Sequence, residues 1–177
     1  LIDNTNPAID NILARRSIRR FNEKLSIKQA EIECLLECAS AAPSAHNLKP
    51  FHFVVLTDKE TLSNIAEMHP YAKMLTTASL AIVVCGEMER NGEKLSYWEH
   101  DCAAAMENLL LAATALGLGS VWIGVRHSQN NLEDKIKQVL EIPSYIGVFS
   151  IAAIGHPLET KDPHKGIIPT SLHLNKW

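Results

Sequence analysis

Residues 101–125, DCAAAMENLLLAATALGLGSVWIGV, place a long apolar helix directly before a glycine-bracketed strand. Trp98, Cys102, Ala105, Met106, Leu109 and Ala113 recur at helical intervals, which predicts a helix over about Ser96 to Leu116. Its second half is apolar nearly all round, so it belongs at the centre of the molecule or in an interface rather than on a wet surface. Glycine closes it, and the chain continues as a strand from Ser120 to Val125.

Working outward, FHFVVL (Phe51–Leu56), LAIVVC (Leu80–Cys85) and GVFSIAAIG (Gly147–Gly155) read as three further strands; the second is a continuous apolar run expected to be buried on both faces. Asn6-Pro7 starts a first helix that runs into LARRSIRRF (Leu13–Phe21). Ser26 with Gln29, and Thr57 with Glu60, offer capping boxes for two more helices, the first ending near Ala42 because Pro43 follows. A helix over roughly Gln129 to Leu140 is ended by Pro143, and ERNGEK reads as a charged surface loop. The order αα-β-α-β-α-β-α-β predicts an α+β domain spanning 1–177, with a central mixed sheet flanked by helices. Ile167, Ile168, Leu172, Leu174 and Trp177 in the tail need a surface to cover them, and a partner subunit would supply one.

The composition is globular, 46% hydrophobic and 21% charged, with a formal charge of −3 that argues against general attraction to nucleic acid or anionic membrane. No apolar run reaches the roughly 20 residues of a membrane helix, and LIDNTNPAID lacks the pattern of a signal peptide. Cys34, Cys38, Cys85 and Cys102 have neither CxxC nor zinc spacing and read as reduced core thiols of a cytoplasmic protein. The eight histidines show no paired metal spacing, so no metal site is expected.

Three segments could carry chemistry. Four of six arginines, Arg15, Arg16, Arg19 and Arg20, fall beside Ser17. Guanidinium groups and a hydroxyl suit a phosphate, while a solvated helix end paired with acids is the plain alternative. APSAHNLKPFHF sets Ser44, His46 and Asn47 in a loop before a strand, able to bond the edge of a polar heterocycle or to serve as an ordinary turn. GLGSVWIGV allows close backbone approach to a ligand but is not the GxGxxG of a dinucleotide fold.

Taken in order, RRSIR, APSAHNLKPFHF, DCAAAMENLLLAATALGLGSVWIG and the terminal NKW resemble the FMN-dependent nitroreductase family over essentially the whole chain, in the manner of its short members. That resemblance implies a homodimer that exchanges its C-terminal tails and holds two FMN groups at the interface. Carried over, Arg15, Arg16, Ser17 and Arg19 would hold the FMN phosphate and the pyrimidine side of the ring. Pro43, Ser44, Ala45, His46 and Asn47 would reach the flavin from the partner, and Trp122, Ile123 and Gly124 would lie along the ring near N5. Lys165 would stand for the family's basic pair, with Gly166 where an arginine is common. The implied chemistry is hydride transfer from NADH or NADPH to FMN and on to a nitroaromatic or quinone, with no protein nucleophile. Flavin fragmentation, reductive dehalogenation and a non-catalytic flavin-binding module are the alternatives.

Overall fold

The computed structural model describes residues 6–127, 130–166 and 168–177. Its centre is the helix predicted from the opening motif, α4 in chain order. Before it come α1 (Pro7–Ala14), α2 (Gln29–Ser40), β1 (Phe51–Leu56), α3 (Lys59–Met68), β2 (Leu80–Glu87) and a small hairpin of β3 (Glu89–Arg90) and β4 (Glu93–Lys94). Then follow α4 (Trp98–Ala115), β5 (Gly119–Gly124), α5 (Leu132–Val139) and β6 (Ile146–Gly155).

Four strands form one sheet in the order β1-β2-β6-β5, every pair antiparallel. The expected mixed character is confined to its edge, where Ser17 makes a parallel bridge to Ser120. Alternation along β2 sends Ala81, Val83 and Cys85 into a core with α3 and α5, and Leu80, Ile82 and Val84 into a second core with α2 and α4. Both faces are therefore covered, which is why β2 reads as an unbroken apolar run. A bulge between Val84 and Cys85 leaves Phe149 as the extra residue of β6, and its carbonyl accepts from both Val125 and Arg126 N–H. Gly86 and Gly147 lie under the Trp98 indole, where a Cβ would stand 2.6 and 2.5 Å from ring carbons.

Four local expectations are corrected. α2 is capped through Glu31, whose carboxylate accepts from Lys28 N–H at 2.7 Å, so it starts later than a Ser26 cap implies. α3 is capped by Asp58, which accepts from Thr61 N–H at 2.8 Å, and not by Thr57; an aspartate reaches the same orphan donor and adds a favourable charge at the helix N-terminus. ERNGEK is a hairpin, because Asn91 (φ 54°) and Gly92 (φ 81°) supply the left-handed pair of a tight turn. The helix expected from Gln129 begins at Leu132 instead. Gln129 itself, like Ile167 and residues 1–5, lies outside the described residues.

Within one chain α4 is enclosed, with Trp98, Asp101, Cys102, Ala105, Met106, Leu109, Leu110, Ala112 and Ala113 buried. By contrast α1 buries none of its residues and exposes Ile9, Ile12 and Leu13. It is tied across α4 by Asn11 Nδ2 donating to Leu111 O and by the Arg15–Glu107 ion pair at 3.2 Å. The thiols are all free; Cys85 and Cys102 are buried, Cys34 and Cys38 half-buried. Burial pushes the Cys85 thiol up to about 12, so it stays protonated and inert. No helix among the described residues is long and apolar enough to cross a membrane.

Candidate active site

The arginine segment is positioned by β5. Ile18 N–H donates to Ser120 O at 2.9 Å, and the two stretches run parallel, so Arg19 arrives beside Trp122. The tail returns along the other side of the same segment. Leu158 N–H donates to Arg20 O, Arg19 N–H to Glu159 Oε1 at 2.6 Å, Lys161 Nζ to Ser17 O, and His164 N–H to Leu13 O. That N–H bond holds the Glu159 carboxyl below the usual carboxylate range.

This packing sorts the arginines. Arg15 is engaged with Glu107 on α4, and the Arg16 guanidinium donates to the Asp162 carbonyl. Arg19 instead lines a cavity of about 640 Å³ together with His69, Pro70, Tyr71, Lys73, Met74 and residues 121–124 of β5. No hydrogen bond or ion pair among the described residues engages the Arg19 guanidinium or the Lys73 ammonium. Ser17 gives its backbone to β5 and to Lys161. Lys165 is exposed, one residue beyond the His164–Leu13 bond that brings the tail to the end of α1.

β5 is an edge strand, and its outward backbone groups decide what this cavity can do. Ser120 O faces outward to Ile18, and Gly124 O faces outward to His69 Nε2 at 2.8 Å. Antiparallel alternation then turns the N–H and C=O of Trp122 and the N–H of Gly124 toward the cavity as well. At Gly124 an added Cβ would meet nothing within 4 Å, so the space in front of that backbone is open. The wall thus offers peptide donors in a row, two cations and a flat opening. Those features fit the polar edge of a flavin ring, whose N5, N1 and O2 accept hydrogen bonds.

Pro43, Ser44, Ala45, His46 and Asn47 lie elsewhere. Ala45 and His46 line a different cavity of about 230 Å³ with Leu48, Pro50, Trp98, Asp101 and the hairpin residues Glu93 and Lys94, and no residue belongs to both. The loop is a single 3-10 turn anchored by the buried Asp101, whose Oδ1 accepts Ala45 N–H at 2.9 Å. The Ser44 hydroxyl is used inside the turn, accepting Lys49 N–H at 2.8 Å. His46, Asn47 and Lys49 all have positive φ, 52°, 56° and 45°. Left-handed backbone costs a non-glycine residue about 1–2 kcal/mol, so the turn is held in shape by its surroundings.

A model of the Nitroreductase family matches residues 12–69 and 66–156. The chain belongs to the nitroreductase family. It is 40% identical over 169 residues to an Archaeoglobus fulgidus protein carrying the provisional name NADH dehydrogenase/NAD(P)H nitroreductase, covering 94% of this chain and 96% of that one. Among solved structures it resembles a Parabacteroides distasonis protein with the same provisional name (TM-score 0.90, 32% identity, 97% and 99% of the two chains). It also resembles an FMN-dependent nitroreductase from Clostridium difficile (TM-score 0.88, 30% identity, 96% and 99%). The nitroreductase fold expected from the motifs is the fold observed.

None of the three motifs gives an individual role to His69, Lys73 or Glu159, although the loop from His69 to Ala78 is one expected to shape the space above the ring. Lys73 follows a helix end in HPYAKM, where no motif marks it, and only the return of that segment over the β5 edge gives it a role. His69 could have been noticed as one of eight histidines sitting just past a helical pattern, but nothing local distinguishes it from a surface loop residue.

Proposed function

We propose that this nitroreductase is a homodimeric FMN oxidoreductase whose two flavin sites each combine the β5-edge cavity of one subunit with the Ser44–Asn47 loop of the other. The observation that carries the reading is the separation of the two cavities within one chain, which share no lining residue. FMN is the cofactor and NAD(P)H the reductant: bound FMN supplies a site that accepts a hydride and then releases electrons to an electron-poor acceptor such as a nitroaromatic or quinone.

The chain's own residues bind, orient and tune. Arg19 and Lys73 place positive charge where the pyrimidine edge of the ring would lie, favouring the extra negative charge that edge carries when reduced. The Trp122 and Gly124 N–H groups would hold the polar edge of the ring by hydrogen bonds. Arg15, Arg16, Ser17 and Lys165 cluster around the end of α1 and supply the phosphate end, and Pro43, Ser44, Ala45, His46 and Asn47 of the second subunit close the other side. Ile123 packs beneath, buried in the core. The second subunit also gives a cover to Ile9, Ile12 and Leu13 of α1 and to Ile168, Leu172, Leu174 and Trp177 of the tail, all exposed in one chain. Exchange of the tails beyond Lys165 follows from this, while residues 157–164 stay on their own subunit.

The test is direct. The purified protein should be yellow, should run as a dimer, and should consume NADH or NADPH when a nitroaromatic is added. A colourless protein that ignores added FMN would sink the reading, and a flavin that binds but does not bleach on mixing with NAD(P)H would leave a binding module in its place.

A further inference from the structure

His69 takes part in none of the patterns that lead to the cofactor, yet its ring occupies the joint of the β5-edge cavity. It is the C-cap of α3, its backbone N–H bonded to Ile65 O at 3.0 Å, and it is only 4% exposed. Its Nε2 lies 2.8 Å from Gly124 O and its Nδ1 3.1 Å from Tyr71 N. A carbonyl can only accept and a peptide N–H can only donate, so the roles are fixed: Nε2–H donates to Gly124 and Nδ1 accepts from Tyr71. The ring is therefore a neutral Nε2–H imidazole joining two backbone segments that are 55 residues apart in sequence on one side and adjacent on the other.

Those two segments are the two walls. Gly124 O belongs to the open edge of β5, which below this point is tied, among the described residues, only by the Ile18–Ser120 bond. Tyr71 begins the stretch that continues through Lys73 and Met74 over the cavity. His69, Pro70, Tyr71 and Gly124 also line a neighbouring cavity of about 470 Å³ that contains Arg126, His127 and Lys135, so the imidazole stands in the partition between the two. Tyr71 projects from it, 79% exposed, its ring edge-on to His69 at 6.3 Å.

We propose that His69 is a positioning residue that latches the β5 edge to the Tyr71–Met74 segment, fixing the spacing between the Trp122 and Gly124 N–H groups on one wall and Lys73 on the other. The latch rests on the flavin reading of this cavity, because its consequence is felt by whatever flat ring lies between the walls. Without the bond to Gly124 the last residues of β5 have no outward tether, and without the bond to Tyr71 the overlying segment loses its register. His69→Gln can keep both roles, its amide N–H donating and its carbonyl accepting, whereas His69→Leu fills similar volume and keeps neither.

The experiment titrates FMN into the wild-type protein and both variants, following flavin fluorescence and visible absorption, and then measures steady-state turnover with NAD(P)H and a nitroaromatic. The Leu variant should bind FMN about ten- to a hundredfold more weakly, for two lost backbone bonds at the site. Its bound flavin spectrum should be altered and kcat should fall by more than KM changes. The Gln variant should recover to within about threefold of wild type. Wild-type affinity and spectrum in the Leu variant, or equal loss in a folded Gln variant, would overturn the latch. Should the Leu variant not fold, nitrogen-15 NMR of the wild-type ring still decides: the proton is expected on Nε2, and finding it on Nδ1 would refute the assignment. Failure of the wild type to bind FMN at all would instead strike the functional reading, and the NMR result would stand apart from it.

Discussion

Along the open edge of β5 the cavity wall is regular strand, secured at Ser120 by Ile18 and at Gly124 by His69, with no positive φ in the strand. Beside the start of α4 the Ser44–Lys49 segment has strained backbone at His46, Asn47 and Lys49, held by one buried carboxylate and one hydroxyl. The first is a rigid platform that presents donors; the second is a shaped finger whose strain is supported by Asp101. A platform can be built from secondary structure alone, because alternation on an edge strand aims its N–H groups automatically. The turn has no such regularity to draw on, so its conformation is stored in a few specific bonds.

The sharpest way to break this comparison is to test whether platform and finger really come from different chains. Arg19→Glu should spoil the platform and Asn47→Pro the finger, since proline cannot adopt the φ of 56° found there. Each variant alone should lose FMN binding, but a co-refolded mixture should regain about a quarter of the wild-type sites, because half the dimers are mixed and each has one intact site. No regain on mixing, with both variants folded and dimeric, would mean that both parts serve one chain.

Next in size is the support of the finger. Asp101→Ala removes the acceptor of Ala45 N–H from a buried position, and should cost about 1–3 kcal/mol of stability in a denaturant titration. It should also weaken FMN, whereas the platform bonds at Gly124 should keep their hydrogen-exchange protection. If stability is unchanged, the turn does not depend on Asp101.

A smaller effect separates the arginines. Arg19→Ala should weaken FMN about tenfold, the loss of one charge-assisted bond. Arg15→Ala, already paired with Glu107, should do less. Equal losses from both would show that the guanidinium groups act as a common field rather than as placed donors.

The smallest is a pH effect on the tail that lies behind the platform. The Arg19 N–H bond holds the Glu159 carboxyl below its ordinary range. Its contribution is therefore complete above the unfolded carboxylate value of about 4.3 and is lost as the pH falls through the lower folded value. Exchange of Leu158 N–H should accelerate over that acid window in wild type, and Glu159→Gln should remove the step.

Much of this was legible in the chain. α4 and the four strands of the sheet were readable because apolar periodicity reports burial directly, and LAIVVC, short and β-branched, matched a strand covered on both faces. Helix starts were less so: Ser26 and Thr57 matched a cap pattern, but Glu31 and Asp58 made the bonds, because several polar residues near a helix start compete for the same orphan donors. The site was legible as a set of segments. Which arginine faces the cavity was not, since Arg15, Arg16 and Arg19 are chemically alike and only Glu107, the Asp162 carbonyl and the β5 edge tell them apart.

By itself, then, the sequence determined the elements, the family and the segments proposed for the flavin site, since these depend on residue type and spacing over short distances. Tertiary structure alone decided that β5 is an edge, that His69 and Lys73 stand over it, and that platform and finger lie apart within one chain. The reason is physical: which N–H group remains unpaired, and which cation remains unneutralised, depends on neighbours brought from far along the chain.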